Sequence, residues 1–325
     1  MSRVVVMSLP PPGRRAALKQ GAAAALFSFL LPLAPVAAQT PCADRLEAFN
    51  RAVDAAPDEK AQAGVDALVA DPRCGGFVIP AQRRLAAARL ARAQKLPAGA
   101  DDPYYLALVM EADKPAVLWQ AAATLAESAF ARRSFAEAAK NFDRAIDIVG
   151  NETMTPKAPP RETIEGLFTR AAAARLLAVN MGQRLYAAAA TRDGKLGGLY
   201  APRVRGVEPR AVPMPITFDY RSANLTEQGR QAAAELARAI REQRPDAVRL
   251  VGHTDPRGGP DYNQKLSVER AQAVAAFLKE NDVEIPVEPE GVGAREPLAL
   301  DDMSGLSQED VYALDRRVEW RRDAP

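Results

Sequence analysis

The 325-residue chain has one histidine, His253, and two cysteines, Cys42 and Cys74. That scarcity excludes Cys/His zinc sites, which take three or four such ligands at workable spacing. Any Ser-His-Asp or Cys-His machinery would have to use His253. No metal and no cofactor are expected. Segments of about ten residues with alternating hydrophobicity are also lacking, which excludes an N-terminal β-barrel. A surplus of one charge is missing too. The formal charge of +2 comes from residues 1–38, which hold Arg3, Arg14, Arg15 and Lys19 and no acid. Without them the balance is 39 basic against 41 acidic residues, so nucleic acid is not an expected partner. What is present is 48% hydrophobic and 26% charged residues, enough for packed cores in two or three domains.

Residues 1–38 read as a secretory signal peptide. Arg14, Arg15 and Lys19 make a positive start, Ala22–Leu31 is apolar except for Ser28, and Val36-Ala37-Ala38 supplies a cleavage site. The run is shorter than the ~20 residues of a spanning helix, and Pro32 and Pro35 follow it. No transmembrane segment is expected after cleavage. Arg14-Arg15 with Leu18-Lys19 resembles a twin-arginine signal without Ser/Thr at Gly13 or Phe at Ala17, so the general secretory and twin-arginine routes both stay open. Gln39-Thr40-Pro41 does not form a lipobox before Cys42. In an oxidising compartment Cys42 and Cys74 are expected to form one disulfide. Two buried free thiols are the alternative.

Residues 39–190 read as an all-α domain. Apolar residues recur at three- and four-residue steps in 81–96, 116–130 and 134–149. Asp102-Pro103 opens a helix, and Asp113-Lys114-Pro115 ends it and starts the next. Around 119–150, Leu125, Ala126, Phe135, Ala138, Phe142 and Ala145 place small residues and aromatics as where two helices cross. This stretch resembles one tetratricopeptide repeat, with Ala129 and Gly150 departing from the pattern. A generic α-hairpin array fits the same residues. Residues 162–180 add a further helix. Such a domain suits protein binding or spacing.

Glycines and prolines mark 191–213 as a linker. From 214 to 325, strands are expected at 216–220, 247–251, 287–291 and 316–321. Helices are expected after Thr226 and after an Asp261/Gln264 capping box. That alternation predicts an α/β sandwich, βαβαβ with a terminal strand. In the second helix Arg270 falls among Leu266, Val274 and Phe277, on the apolar side. Strand parity puts Arg316 with Val318 and Trp320, on the core side. Buried charges need partners. With Asp255 in the loop 252–260, they suggest a pocket for a ligand carrying both signs of charge.

Ile216-Thr217-Phe218, Gly252-His253-Thr254-Asp255, Tyr262-Asn263, Leu266-Ser267, Arg270-Ala271, Gly291-Val292-Gly293 with Pro297, and Arg316-Arg317-Val318-Glu319 are a specific joint pattern. Roughly 210–322 resembles the OmpA-like peptidoglycan-binding domain. The resemblance implies non-catalytic binding of the diaminopimelate residue of the wall's stem peptide. Asp255 and Arg270 then match the clamp on its ammonium and carboxylate, with Asn263, Arg316 and Thr254 at further pocket positions. It also implies peptidoglycan as partner and the periplasm or envelope of a Gram-negative bacterium as location, with or without outer-membrane contact. Asp315 stands where asparagine is usual, and acidic 298–314 lacks a glycine-arginine pair, so one pocket wall is expected to differ. His253 is read as a loop-bracing hydrogen-bonder. A peptidoglycan-modifying enzyme and a component of a larger envelope complex are the alternatives to a simple anchor.

Overall fold

The computed structural model describes residues 41–97, 102–185 and 197–322. The signal peptide expected over 1–38 lies outside the described residues.

The chain begins with α1 (Pro41–Ala55), α2 (Glu59–Val69), a 3-10 turn at Pro72–Cys74 and α3 (Gly75–Gln94). Asp58 caps α2 by accepting from the Lys60 amide, and Asp71 caps the 3-10 turn by accepting from the Arg73 amide. Cys42 and Cys74 are joined in a disulfide, 32 residues apart in sequence. Phe49, Val53, Val65, Leu68 and Leu85 bury around it as a small separate core.

Asp102 accepts from the amides of Tyr104 and Tyr105 and opens α4 (Pro103–Asp113), with proline in the first turn as expected. The next helix does not start at Pro115. Ala116 adopts φ +52°, Val117 and Leu118 are buried, and α5 runs Trp119–Ala131. The chain turns through Arg133 (φ +60°) into α6 (Phe135–Gly150), and α7 (Arg161–Asn180) packs on α6. Ala122, Ala126 and Ala129 of α5 and Phe135, Ala138, Phe142 and Ala145 of α6 share one core. Small side chains there let the two helices approach closely.

The C-terminal part contains β1 (Ala211–Met214), α8 (Glu227–Gln243), β2 (Val248–His253), α9 (Pro260–Glu280), β3 (Val287–Gly293), α10 (Gln308–Asp315) and β4 (Val318–Arg321). The sheet order is β1-β4-β2-β3. β2 and β3 are parallel across the α9 crossover, while β4 runs antiparallel to β1 and β2.

Two expectations need correction. The first strand is at 211–214, not 216–220. Val212 pairs with Trp320 and Met214 with Val318, so the apolar side chains of this edge strand complete the core, and Pro213 is tolerated at an edge. Phe218 makes only an isolated bridge to Leu225. The chain from 217 to 226 instead folds back, and Thr226 caps α8 through the Gly229 amide. The Asp261/Gln264 capping box does not form. Pro260 starts α9 from Gly259, and Gln264 donates to the Gly291 carbonyl (2.7 Å). The acidic stretch 298–314 contains α10, capped by a reciprocal Ser307–Asp310 box that signals a helix start.

Two glycines fix how α9 sits. A Cβ on Gly252 would fall on the Ser267 carbonyl oxygen, and one on Gly291 would fall on the Ser267 hydroxyl and the Val268 amide. Their bare backbones let α9 lie directly on β2 and β3.

The main core does not stop at the end of the helical region. One buried cluster runs from Ala122 to Trp320. Leu199, Tyr200, Val204 and Val207, within the stretch read as a linker, are buried in it. Among the described residues no helix is long and apolar enough to cross a membrane.

Candidate functional site

Asp255 follows the C-terminal end of β2 and is 6% exposed. Its Oδ2 accepts from Arg257 Nη2 (2.6 Å), Arg257 Nε (3.2 Å) and Arg316 Nη1 (2.8 Å). Among the described residues its Oδ1 accepts only the Arg257 amide (3.0 Å), which leaves one acceptor direction open. Burial pushes the carboxyl pKa up, but the hydrogen bonds from Arg257 and Arg316 outweigh it and hold the group below the usual range. Arg257 and Arg316 also both reach Glu309, at 3.2 and 2.9 Å.

Arg270 comes from the middle of α9 and is 8% exposed. Its Nε donates to the Ser222 carbonyl (3.1 Å), and its guanidinium lies 5.0 Å from the Phe218 ring centroid. Among the described residues, no carboxylate lies within ion-pair distance of it. Burial is the main influence on it and lowers its pKa. Tyr262 and Asp255 act the other way, and Arg316 adds to the lowering. Asp255 pairs with Arg257 and Arg316 instead, and among the described residues no ion pair joins it to Arg270.

Asn263, in the first turn of α9, is buried and donates from Nδ2 to the Asp255 carbonyl (3.3 Å). Thr254 is anchored by its amide on the Gly293 carbonyl (3.0 Å). Its buried hydroxyl has no hydrogen-bond partner among the described residues. An unpaired buried hydroxyl costs about 1–3 kcal/mol.

Arg316 reaches the site by another route than strand parity. It follows α10 and precedes β4, half-buried at the site's edge. Parity failed because the strand begins only at Val318, so Arg316, the C-cap residue of α10, does not share its alternation. Val318 and Trp320 face the apolar core, while Glu319 faces a buried polar network. Arg317 donates to Glu319 through Nε (2.9 Å) and Nη2 (2.6 Å), and Arg321 Nε donates to its other oxygen (3.0 Å). His253, at the end of β2, places Nε2 3.3 Å from Glu319 and Nδ1 3.2 Å from the Glu296 carbonyl. Burial raises the Glu319 pKa, but His253 and Arg317 hold it well below the usual carboxylate range. His253, at the end of β2, thus braces the loop after β3 through the Glu296 carbonyl, as expected. Asp315 is buried and accepts the Leu298 amide (3.0 Å), with its pKa raised by burial.

Arg257, Ser222 and Glu309 escaped the sequence reading. The Ser307–Asp310 spacing could have placed α10 and therefore Glu309. Nothing local marks Ser222, which acts through its carbonyl.

A model of the OmpA family matches residues 217–305, and this segment is an OmpA family domain. The chain is 34% identical over 109 residues to the probable lipoprotein YiaD of Escherichia coli, covering 33% of this chain and 48% of that protein. It is 38% identical over 85 residues to the outer-membrane lipoprotein YfiB of Pseudomonas aeruginosa, covering 26% and 51%. The chain thus spans about half the length of these curated relatives. Among solved structures, the cell wall anchor of the T6SS from Pseudomonas aeruginosa aligns at 30% identity over 34% of this chain and 76% of that one, with a TM-score of 0.26.

Proposed function

With an OmpA family domain at residues 217–305 as the premise, we propose that the protein is a non-catalytic envelope anchor that binds peptidoglycan through the diaminopimelate of the stem peptide. The side-chain end of that residue carries an ammonium and a carboxylate on one carbon. The ammonium goes to the open acceptor of Asp255, and the carboxylate to the guanidinium of Arg270, which can take it bidentately. The Thr254 hydroxyl takes a further ligand hydrogen bond, while Asn263 and Arg316 shape the pocket around Asp255. Each charge-assisted hydrogen bond contributes roughly 1.5–3 kcal/mol.

The observation that carries this reading is Arg270, a guanidinium 8% exposed with no carboxylate beside it among the described residues. A buried cation without a counter-ion is costly unless a ligand supplies one. The lipoprotein relatives, one of them named for the outer membrane, support an envelope location. Cys42 sits in the disulfide, so its thiol carries no lipid. The tetratricopeptide-like helices hold a protein partner or act as a spacer.

The test is cosedimentation with purified sacculi. Asp255→Ala and Arg270→Ala each abolish pelleting while the circular dichroism spectrum is unchanged. Wild-type protein that stays in the supernatant, or both variants pelleting like wild type, overturns the assignment.

A further inference from the structure

The helical region reaches into the candidate site at two points. Asn180, the last residue of α7 and exposed, accepts on Oδ1 from Arg316 Nη2 (2.9 Å). The other nitrogen of that guanidinium donates to Asp255, so one side chain bridges α7 and the loop after β2. The second point lies at the α5–α6 turn. Arg133 donates through both Nη atoms to the two oxygens of Asp310, 177 residues away, at 2.8 Å each. Asp310 is buried and closes the capping box of α10 by accepting the amide of the N-cap residue Ser307 (2.8 Å). The Arg133 turn is itself fastened to the end of α7. Gln183 donates to the Arg133 carbonyl (2.8 Å) and accepts the Ala136 amide (2.9 Å).

The consequence runs along α10. Its second residue is Glu309 and the residue after it is Arg316, the two groups that hold Arg257 and Asp255 in place. A helix of eight residues has little rigidity of its own. Its direction is set by what holds its ends, and one of those ends is held from the helical region. A bidentate arginine–carboxylate pair fixes orientation as well as distance.

We propose that the helical region forms one wall of the ligand site, with Asn180 and Arg133 as positioning residues that aim Arg316 and α10 at Asp255. This rests on the wall-peptide reading given above. The helices therefore set how tightly the C-terminal domain grips its ligand, and anything that shifts α7 against α10 changes that grip.

The experiment is calorimetric titration of the full chain with a soluble diaminopimelate-containing muropeptide. Asn180→Ala removes the acceptor and raises the dissociation constant about three- to tenfold, as expected for one charge-assisted hydrogen bond acting indirectly. Asn180→Asp keeps an oxygen at that place and restores affinity to within about twofold. Because Asn180 is exposed, neither change shifts the melting temperature, which separates positioning from packing. Arg133→Met weakens binding similarly, and Arg133→Lys recovers only part because it cannot form the two-pronged pair. Wild-type binding with Asn180→Ala and Arg133→Met unaffected overturns this proposal alone. Absence of wild-type binding removes the wall-peptide reading and this proposal with it.

Discussion

Arg175 and Arg270 are both buried guanidiniums, 2% and 8% exposed, in two different parts of the molecule. Arg175 lies on α7 where the helices meet the sheet domain. It donates to Asp143 of α6 (2.6 Å), approaches Glu235 of α8 (3.6 Å) and faces the Tyr200 ring at 5.4 Å. Asp143 also accepts the Leu199 amide (2.9 Å), and Tyr200 donates to Glu235 (2.9 Å). Burial alone would lower the Arg175 pKa, but the surrounding carboxylates turn the shift upward. For Arg270 burial prevails and the shift is downward. The seam supplies its cation with counter-charge from two helices, whereas no carboxylate among the described residues lies within ion-pair distance of Arg270 on α9. A buried ion with its partners present holds structure together, and under the proposed function the one without them takes its counter-charge from the ligand.

The comparison breaks first on stability. Arg175→Met leaves Asp143 and Glu235 without their shared cation and is expected to cost about 3–5 kcal/mol, read from denaturant unfolding at pH 7.5. A loss below 1 kcal/mol would mean that the seam is not electrostatically built. A smaller effect comes from Asp147, which accepts the Gly198 amide (2.7 Å) beside that cluster. Burial pushes its pKa up to about 6, the Gly198 hydrogen bond opposes this, and the Asp143 charge adds to it. The folded pKa lies above the unfolded value near 3.9. Its stabilising contribution is therefore complete below about pH 4 and is lost as pH climbs through about 6. Asp147→Asn is expected to gain about 1–3 kcal/mol at pH 7.5 and nothing at pH 4, seen as a flattened profile of melting temperature against pH. The smallest stability change belongs to the loop site. Arg270→Met loses one carbonyl hydrogen bond and a ring contact but relieves a lone buried charge, and changes stability by about 1 kcal/mol or less. A loss as large as that of Arg175→Met would make Arg270 a structural ion.

Local signals carried much of the reading. Asp102-Pro103 and Thr226 marked helix starts because capping is decided within three residues. Helical periodicity put Arg270 on the buried side of α9, where it is. What stayed hidden depended on distant neighbours. Arg316 was misplaced because parity assumes a residue inside the strand, and β4 starts two residues later. The Asp261/Gln264 signal gave way to Pro260 one position earlier. Residues 198–207 have the glycine and proline content of a connector, yet Tyr200 is fully buried because α6 and α8 offer carboxylates and apolar surface to receive it. No window of sequence contains both halves of that contact.

The unbroken core from Ala122 to Trp320 bears on where this polypeptide can be divided. A fragment beginning at residue 214 would strip β4 of its edge partner and leave the apolar underside of the sheet wet. One ending at 190 would carry α6 and α7 away with their inner surfaces bare and sticky. A cut upstream of Trp119 keeps three helices with the sheet but parts Ala121 from Leu90, Val109 and Ala112 and Arg144 from Asp113, so each of these divisions opens a buried contact.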